Sequence, residues 1–484
     1  MAMVDSVTTL PERPRTVTAQ PKRRRRLVVV SNRVGPVEAG KASEGGLAVA
    51  LRAALEQSGG IWFGFSGTVS KQPTETPHQT TVGNITWATL DLTKQDLDDY
   101  YIGYSNRVLW PLFHYRPSLV EFSRRALAGY QRVNDLFARA LQPLLEPDDL
   151  IWVHDYHLIP LANALRRLGC RQSIGFFLHT PFPAAEVMRL LPNHRELVAE
   201  LCAYDLIGFQ AHSHLQGFRD YVLRSGGGTD LGGTRLQAFG HELDADVFPV
   251  GIDVDNIEGL AAKAAKRSRQ MRRLVDSIDD RRLLIGVDRL DYSKGLPERF
   301  AAYEYLLEHF PEIRGRTVFM QIAPPSRSDV PEYKQIRRAL NHAAGSINGR
   351  YAEFDQAPLR WLNKSFNHSI LTGFFRAADL ALVTPLRDGM NLVVKEYLAS
   401  QSADDPGMPV LSCFAGAAEE LAEAIIVNPY DKEGMAEAIR EGLAMPLGER
   451  QERWSAMMTT LRRNDTNAWR ERFVTALSAV TAGA

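Results

Sequence analysis

Two cations at the end of one apolar segment are the residues of this chain best suited to chemistry. The run Leu283–Val287 predicts a buried parallel strand, and the loop after it carries Arg289 and Lys294 before Gly295 allows a turn. Open α/β sheets bind ligands beyond the carboxyl ends of their strands. Two cations at that place suit a diphosphate whose charge must be neutralised as it leaves. The alternative is a solvated surface loop, and this loop alone does not decide between the two.

A second loop, one hundred residues further on, has the features of an anion site. Leu380–Thr384 predicts a strand, Asp388 and Gly389 predict a turn, and a helix is expected to begin near Met390. The free N–H groups and positive dipole end of that helix would attract a phosphate. Glu396 would lie about two turns into the helix, within reach of ribose hydroxyls. The alternative is an Asp388 that caps the helix and a solvated Glu396.

The first apolar segment of the chain also ends in candidate ligand-binding residues. Arg33 closes the segment and could bind a phosphate, and the pair Gly45 and Gly46 would let backbone amides approach a ligand closely. A glycine pair before a helix is more often a simple turn. The dinucleotide pattern G-x-G-x-x-G is absent from this stretch.

His154, Asp155 and His157 follow one another at the end of a further predicted strand. They raise the question of a metal site, but one irregular loop supplies too few converging ligands, so hydrogen bonding to sugar hydroxyls is the better interpretation. Asp244 and Asp246 have the spacing of a metal-binding carboxylate pair, but they lie in a polar stretch that precedes a predicted strand. We interpret that spacing as coincidence and predict no metal site.

Two other segments fit sugar binding. His179 ends an apolar run and is followed by a proline-rich rim, which favours a functional histidine over a core one. The block Tyr100–His114 combines aromatic rings with polar tips, including Tyr101 and Trp110. Sugar rings have apolar C–H faces and polar edges, so such a block suits them, although each aromatic taken singly fits a buried core equally well.

Composition gives the frame for these sites. A chain of 484 residues exceeds the roughly 250–300 that one core holds, so we expect two domains. The 57 basic and 57 acidic residues cancel, so net charge favours neither nucleic acid nor a membrane as partner. Three cysteines without ligand spacing fit a reducing cytoplasm, and no segment approaches the roughly 18 apolar residues of a membrane span. Residues 1–26 are polar and basic, and we expect them to form a disordered tail.

Strand and helix patterns alternate from residue 27 onward, which predicts parallel α/β sheets in two successive doubly wound domains. We assign residues 27–250 to the first domain, residues 251–465 to the second, and residues 466–484 to a final amphipathic helix. The predicted strands are Arg26–Ser31, Leu150–His154, Ser173–Leu178, Leu206–Gln210 and Val247–Val250, then Leu283–Val287, Thr317–Ile322, Leu380–Thr384, Val410–Cys413 and Ala424–Val427.

Taken together, these motifs resemble the trehalose-6-phosphate synthase family of retaining glycosyltransferases, over roughly residues 27 to 480. The resemblance implies two facing Rossmann-like domains of the GT-B type with the active site in the cleft between them. It implies transfer of glucose from UDP- or ADP-glucose to glucose 6-phosphate, which yields α,α-trehalose 6-phosphate with retention of configuration. It also implies that the last helix returns to the N-terminal domain, that no cofactor is needed, and that the chain forms a dimer or tetramer.

The resemblance further assigns residues to each substrate. Donor binding falls to Gly45, Gly46, His179, Arg289, Lys294, Asp388, Gly389, Met390, Asn391 and Glu396, and acceptor binding to Arg33, Tyr101, Trp110, Asp155 and Arg327. Asp155, His179, Arg289, Lys294 and Asp388 would lie nearest the reacting atoms. The family is thought to use attack on the front face of the sugar, with the departing phosphate oxygen taking the proton of the acceptor.

Three alternatives stay open at this point. Another transferase of the superfamily would use glycerol phosphate or a cyclitol as acceptor, and an epimerase of the same fold would need no acceptor. A regulator that only binds would be expected to lack part of the set Arg33, Asp155, Arg289, Lys294 and Glu396, all of which are present. The sequence does not decide which nucleotide the donor carries.

Overall fold

The computed structural model describes residues 25–34, 51–52, 55–56, 58–72, 74–267, 269–325 and 331–480. Within these ranges the chain forms two β-sheets, each flanked by helices. In the same part of the chain, no helix has both the length and the apolar character needed to cross a membrane.

The first sheet has ten strands. They are β1 Leu27–Arg33, β2 Gly60–Ser70, β3 His78–Val82, β4 Ile85–Thr93, β5 Leu150–His154, β6 Ser173–Phe177, β7 Leu206–Phe209, β8 Thr229–Gly232, β9 Arg235–Ala238 and β10 His241–Val247. Their order across the sheet is β3-β4-β2-β1-β5-β6-β7-β10-β9-β8, and the seven strands from β4 to β10 in this order run parallel. Buried apolar runs such as β5, covered on both faces, are typical of parallel strands.

The second sheet has six strands, all parallel. They are β11 Arg282–Val287, β12 Thr317–Ile322, β13 Leu359–Leu362, β14 Leu380–Val383, β15 Met408–Ser412 and β16 Ile425–Val427. Their order is β13-β12-β11-β14-β15-β16. The chain therefore reverses direction across the sheet at the neighbouring strands β11 and β14. A crevice forms at such a switch point, and the two loops predicted to bind a diphosphate leave these two strands.

Helices cover both sheets. Beside the first lie Lys94–Asp96, Leu97–Leu109, Trp110–Phe113, Arg124–Leu141, Leu161–Arg167, Ala185–Met188, His194–Leu201 and His212–Arg224; beside the second lie Val254–Arg267, Arg269–Ile278, Leu296–His309, Pro331–Tyr351, His368–Ala377, Leu392–Ser400, Lys432–Ala444 and Leu447–Arg463. Single 3₁₀ turns occupy Pro117–Leu119, Gln142–Leu144, Tyr156–Leu158, Tyr292–Lys294, Pro311–Ile313 and Gly416–Glu419.

The last helix, Thr466–Ala479, packs on the first sheet although it follows the second in sequence. The Phe473 ring stacks on Trp152 of β5 with ring centroids 4.7 Å apart. A Cβ at Gly175 or Gly208, on β6 and β7, would lie within 3 Å of that same phenylalanine ring. Small residues on two adjacent strands therefore make room for an aromatic side chain of this helix.

The predicted strands need several corrections. The prediction of a strand at Val247–Val250 was wrong, because the strand lies earlier, at His241–Val247, and includes Asp244 and Asp246. The strand carries polar residues because it pairs on one side with β9, which is buried on only one face, and because it is itself only partly covered. Sequence reasoning also missed β2, β3, β4, β8, β9 and β13, several of which carry exposed polar residues.

Candidate active site

The side chain of Lys294 lies between the loops that leave β11 and β14. Its ammonium donates to the Oδ2 atom of Asp388 at 2.5 Å, and each side chain of this pair is only 14% exposed. The amide of Asn391 donates to the same oxygen at 3.0 Å. Burial opposes ionisation of Asp388, but Lys294 and these hydrogen bonds outweigh it and keep the pKa of the carboxyl below its usual value.

The loop that carries Lys294 is held by local hydrogen bonds. Asp291 is buried and accepts from both the backbone N–H and the hydroxyl of Ser293. Gly295 has φ = 65° there, and a Cβ at this position would lie 2.2 Å from the carbonyl oxygen of Thr384. The buried guanidinium of Arg299 joins the same region, donating to Asp288 at 2.7 Å and to Thr384 at 3.0 Å. At position 295, glycine is therefore required both for the left-handed backbone and for the close packing against Thr384.

Arg289 faces the first sheet from the second. Its guanidinium is exposed and lies 5.6 Å from the ring centroid of Trp110, which in turn packs on His114 with centroids 4.1 Å apart. Burial lowers the pKa of His114 to about 4, so this ring is neutral near pH 7. An exposed cation above an aromatic ring is a suitable place for a sugar phosphate.

Gly389 lies where a loop of the second sheet closely approaches a loop of the first. A Cβ at this position would lie 1.8 Å from the carbonyl oxygen of His179, which follows β6. The next residue, Met390, accepts a hydrogen bond from the N–H of Ala417 at 2.9 Å, which fixes the loop from behind. The loop after β14 is thereby pressed against the rim of the first sheet.

Glu396 lies on the helix Leu392–Ser400, whose N-terminus points towards this loop. Asn391, with φ = 76°, caps the helix by accepting from the N–H of Val394. The Glu396 carboxylate lies 3.5 Å from the ring of His368, and their hydrogen bond raises the pKa of that histidine. The helix begins two residues later than Met390, the predicted start, because Asn391 takes the capping position.

Asp155 follows β5 in an unusual backbone conformation, φ = 76° and ψ = 163°. Its Oδ1 atom accepts from the backbone N–H of His179 at 3.2 Å. Burial raises the pKa of the carboxyl to about 6, while hydrogen bonds from three backbone N–H groups and the charge of Arg289 oppose the rise. A residue held in a rare conformation at the end of a strand is a recurrent feature of functional sites.

The imidazole of His179 is bonded on both nitrogens. Its Nε2 lies 3.0 Å from Nδ1 of His154, and its Nδ1 lies 3.3 Å from the amide nitrogen of Gln210. These three residues follow the adjacent strands β5, β6 and β7, or end them. Burial lowers the pKa of His179 to about 3 and that of His154 well below its ordinary value, so both rings are neutral.

Tyr101 and Arg33 lie at the same edge of the first sheet. The segment Leu97–Leu109 is wound as a π-helix, and it stacks Tyr101 on His157 with ring centroids 5.7 Å apart. Arg33 is the exposed last residue of β1, and its guanidinium lies over Gly67, where a Cβ would be 2.8 Å from Nη2. Arg33, Tyr101, Trp110 and Asp155, predicted to bind the acceptor, thus lie on the first sheet's side, and Arg289, Lys294, Asp388 and Glu396, predicted to bind the donor, lie on the second sheet's side. His179 is the described donor-binding residue that comes from the first sheet.

Three predicted site residues lie outside the described residues: Gly45, Gly46 and Arg327. Residues 1–24 of the predicted tail also lie outside them. Across the described ranges, no group of three or more His, Cys, Asp or Glu side chains is placed to hold a metal ion. Asp244 accepts a hydrogen bond from the hydroxyl of Thr234, in the turn between β8 and β9.

Sequence reasoning missed several residues that build this site. Gln210 contacts His179, and the guanidinium of Arg299 donates to the carbonyl oxygen of Lys294 at 3.3 Å. Arg387 stacks on Tyr115 with its guanidinium carbon 3.9 Å from the ring centroid. Gln210 had a usable signal, since it is the polar residue that closes a predicted apolar strand. Arg387 and Arg299 had no such signal, because Tyr115 lies far from Arg387 in sequence and Arg299 bonds to Thr384, 85 positions away.

Comparison with known proteins agrees with this geometry. The model of glycosyltransferase family 20 matches residues 23–479. A trehalose-6-phosphate synthase of Klebsiella pneumoniae is 49% identical over 458 residues, which cover 94% of this chain and 96% of the relative. A UDP-forming α,α-trehalose-phosphate synthase of Burkholderia xenovorans, solved in complex with glucose 6-phosphate, is 49% identical with a TM-score of 0.90 and covers 94% of this chain and 100% of that one.

A third relative has been solved with a donor analogue. The trehalose-6-phosphate synthase of E. coli, bound with UDP-2-fluoro glucose, is 46% identical with a TM-score of 0.90, over 94% of this chain and 99% of that chain. The predicted fold of two facing Rossmann-like domains is confirmed by these structures. The chain belongs to glycosyltransferase family 20, and it is a glycosyltransferase with the GT-B fold of the trehalose-phosphate synthases.

Proposed function

We propose that this chain transfers glucose from UDP-glucose to glucose 6-phosphate and releases α,α-trehalose 6-phosphate and UDP. The observation that carries the proposal is the meeting of Lys294, Asp388 and Gly389 with His179 from the facing sheet. The UDP-forming Burkholderia relative was solved with glucose 6-phosphate and the E. coli relative with a UDP-glucose analogue, and both share nearly the whole chain length.

The donor binds along the loops that leave β11 and β14. Arg289 and Lys294 hold the diphosphate, and the backbone amides of Gly389, Met390 and Asn391 assist them at the N-terminal end of a helix. Glu396 binds the ribose. The backbone of Gly45 and Gly46 contacts the diphosphate from the first domain. His179 and Asp388 bind hydroxyls of the glucose that is transferred.

The acceptor binds on the side of the first sheet. Arg33 and Arg327 hold the phosphate of glucose 6-phosphate, and Tyr101 and Trp110 contact its sugar ring. Asp155 accepts a hydrogen bond from a hydroxyl near the reacting carbon, which suits a partly buried carboxylate at the end of β5. The arginine on each side selects the phosphorylated sugar, because a dianion gains more from two guanidinium groups than a neutral hydroxyl does.

The transfer proceeds on one face of the donor sugar. The anomeric hydroxyl oxygen of the acceptor bonds to the anomeric carbon of the donor as the bond from that carbon to the phosphate oxygen breaks. The departing phosphate oxygen takes the hydroxyl proton, and configuration is retained because attack and departure share a face. Arg289 and Lys294 stabilise the negative charge that develops on the diphosphate.

The division of the chain follows from these roles. We assign most of the acceptor site to residues 27–250, with Arg327 contributed by the second domain, and most of the donor site to residues 251–465, with Gly45, Gly46 and His179 contributed by the first. Residues 466–484 are assigned a bracing role. We also propose that the chain is a homo-oligomer that works in the cytoplasm, where its phosphorylated substrates occur and where Cys170, Cys202 and Cys413, all free, would stay reduced.

Incubation of the purified chain with separate donors and acceptors tests the proposal. UDP-, ADP- and GDP-glucose would each be offered with glucose 6-phosphate, glycerol phosphate or inositol, and the products resolved by anion exchange and mass spectrometry. We expect UDP-glucose and glucose 6-phosphate to give equal amounts of UDP and trehalose 6-phosphate. Transfer of glucose to glycerol phosphate or to inositol, with none to glucose 6-phosphate, would indicate another transferase. Conversion of UDP-glucose to an epimeric UDP-sugar in the absence of any acceptor would indicate an epimerase.

A further inference from the structure

The amide of Gln210 is buried, and its orientation is set by the backbone. Its Oε1 atom accepts from the N–H of Val250 at 3.0 Å. A backbone N–H can only donate, so the oxygen of the amide must face Val250 and the nitrogen must face His179. The Nε2 atom of Gln210 accordingly donates to Nδ1 of His179 at 3.3 Å.

The N–H group of Gln210 determines which ring nitrogen of His179 and of His154 carries a proton. Nδ1 of His179 accepts, so the proton of this neutral ring is on Nε2, which donates to Nδ1 of His154 at 3.0 Å. His154 must then carry its own proton on Nε2. That atom is buried without a hydrogen-bond partner among the described residues, in a pocket lined by Trp152, Phe177 and Trp469.

Val250 also connects these hydrogen bonds to the helix that carries donor-binding Glu396. Its carbonyl oxygen accepts from the buried ammonium of Lys395 at 2.8 Å, and Lys395 is paired with Glu420 at 2.6 Å. Lys395 precedes Glu396 on the helix Leu392–Ser400. One residue of the connection between the two sheets therefore bonds to both sides, through its N–H to Gln210 and through its C=O to the donor helix.

We propose that Gln210 and His154 are positioning residues that hold His179 in its Nε2–H tautomer and in one ring orientation for the glucosyl transfer. This inference rests on the proposed function, in which His179 binds the transferred glucose. Gln210 sets the tautomer before the sugar binds, by donating to Nδ1. A sugar hydroxyl then replaces this contact, the longer of the two, while His154 continues to accept from Nε2–H and so keeps the tautomer. The hydroxyl then donates to Nδ1, the atom that this tautomer keeps as an acceptor.

The experiment compares four single variants with the wild type. Gln210→Glu keeps an oxygen for the Val250 N–H but replaces the donor to His179 with a carboxylate that accepts. His154→Phe removes the acceptor of the His179 Nε2–H, and His154→Asn restores an acceptor oxygen near the same place. Trp152→Phe is the matched control, since it changes the same buried cluster, 4.6 Å from the His154 ring, outside the chain of bonds.

Two measurements are made on each protein. The ¹⁵N spectrum of protein labelled at its histidine rings reports the tautomer of His179, identified by the signals lost in His179→Asn. Steady-state kinetics report kcat and KM for both substrates, and thermal denaturation reports folding. We expect Nε2–H in the wild type and protonated Nδ1 in Gln210→Glu, whose kcat falls about tenfold, as does that of His154→Phe.

The remaining variants make the inference falsifiable. His154→Asn should recover most of the lost kcat, and Trp152→Phe should stay within about twofold of the wild type even if its melting temperature drops. Protonated Nδ1 in the wild-type ring would overturn the inference, and so would equal kcat values for Gln210→Glu, His154→Phe and the control. A wild type that forms no trehalose 6-phosphate would instead reject the proposed function, while the ¹⁵N spectrum would still report the tautomer.

Discussion

Lys294 and Asp388 form an ion pair in the cleft. Their side chains are 2.5 Å apart and mostly buried, so neither charge is left unpaired in the cleft. A carboxylate beside the ammonium keeps the lysine in a fixed position, and an incoming diphosphate offers it a second anion. Pre-positioned cations of this kind lower the barrier because they need no reorganisation when charge develops on the leaving group.

Replacement of Lys294 by alanine tests that role. Lys294→Ala should lower kcat by roughly 10²–10³ at saturating UDP-glucose, comparable to the loss of one oxyanion donor. Lys94→Ala is the control, since it removes an ammonium from an exposed ion pair with Asp98. A folded Lys294→Ala protein with near-normal kcat would remove this residue from the leaving-group site.

The raised pKa of Asp155 predicts that the contribution of this residue to the free energy of unfolding changes with pH. Its pKa is raised to about 6, whereas an unfolded carboxyl releases its proton near pH 4, so the folded state binds more protons between these values. Stability from this residue is therefore present below about pH 4 and is lost as pH rises through 6. Asp155→Asn keeps the side-chain oxygen and tolerates the positive φ, but carries no charge.

We expect Asp155→Asn to unfold at higher urea concentration than the wild type at pH 7.5, by on the order of 1–3 kcal/mol. The difference should shrink towards pH 4.5, and the variant should lose most of its transferase activity at both pH values. Urea curves for the two proteins separated by the same amount at pH 4.5 and 7.5 would contradict the raised pKa.

At the scale of elements, the site depends on how closely the loop after β14 meets the loop after β6. The approach of Gly389 to the His179 carbonyl leaves no space for a side chain. Because the same loop is bonded from behind to Ala417, it cannot retreat without moving the turn Gly416–Glu419.

Gly389→Ala should therefore force these loops apart. We expect kcat/KM for UDP-glucose to fall at least about 10²-fold, since displacements of about 1 Å at a reacting site have effects of that size. Gly448→Ala is the matched control, because a Cβ there meets nothing within 4 Å. The idea fails if Gly389→Ala keeps the activity of Gly448→Ala.

The sequence predicted the elements whose signal is local. The loop with Arg289 and Lys294 was predicted because its polar residues interrupt an apolar run, and β5 and β12 have the predicted bounds. The π-helix Leu97–Leu109 was not predicted; it packs against the helix Arg124–Leu141, a contact between separate elements that local periodicity does not indicate. The contact of Gln210 with Val250 joins residues forty positions apart, so only the folded chain shows it.

At the scale of the whole molecule, side chains bridge the two sheets at several points. Glu419 accepts from the backbone N–H groups of His212 and Ser213, at 2.7 and 3.1 Å, and so caps a helix of the first domain from the second. Those N–H groups lower the pKa of Glu419 against the effect of its burial. Arg387 and Tyr115 make a further cation–π contact between the domains. Opening of the cleft would therefore have to break these contacts of Glu419 and Arg387.

The arrangement of charges also predicts that transfer needs no divalent cation. Arg289, Lys294 and the amides after Asp388 supply the positive charge that a metal would otherwise bring to the diphosphate. Activity should be the same after dialysis against EDTA and after addition of Mg²⁺ or Mn²⁺. Loss of activity on chelation, with recovery on adding a metal, would indicate a metal site in this cleft.

The most direct test of the whole account is the linkage in the product. The enzyme would be given UDP-glucose labelled with ¹³C at the anomeric carbon, together with unlabelled glucose 6-phosphate, and the anomeric signals followed by NMR. The account predicts one product, in which the labelled anomeric carbon keeps the α configuration and is joined to the anomeric oxygen of the phosphorylated glucose. A β configuration at the labelled carbon, a linkage to any other hydroxyl, or free labelled glucose as the main product would contradict it.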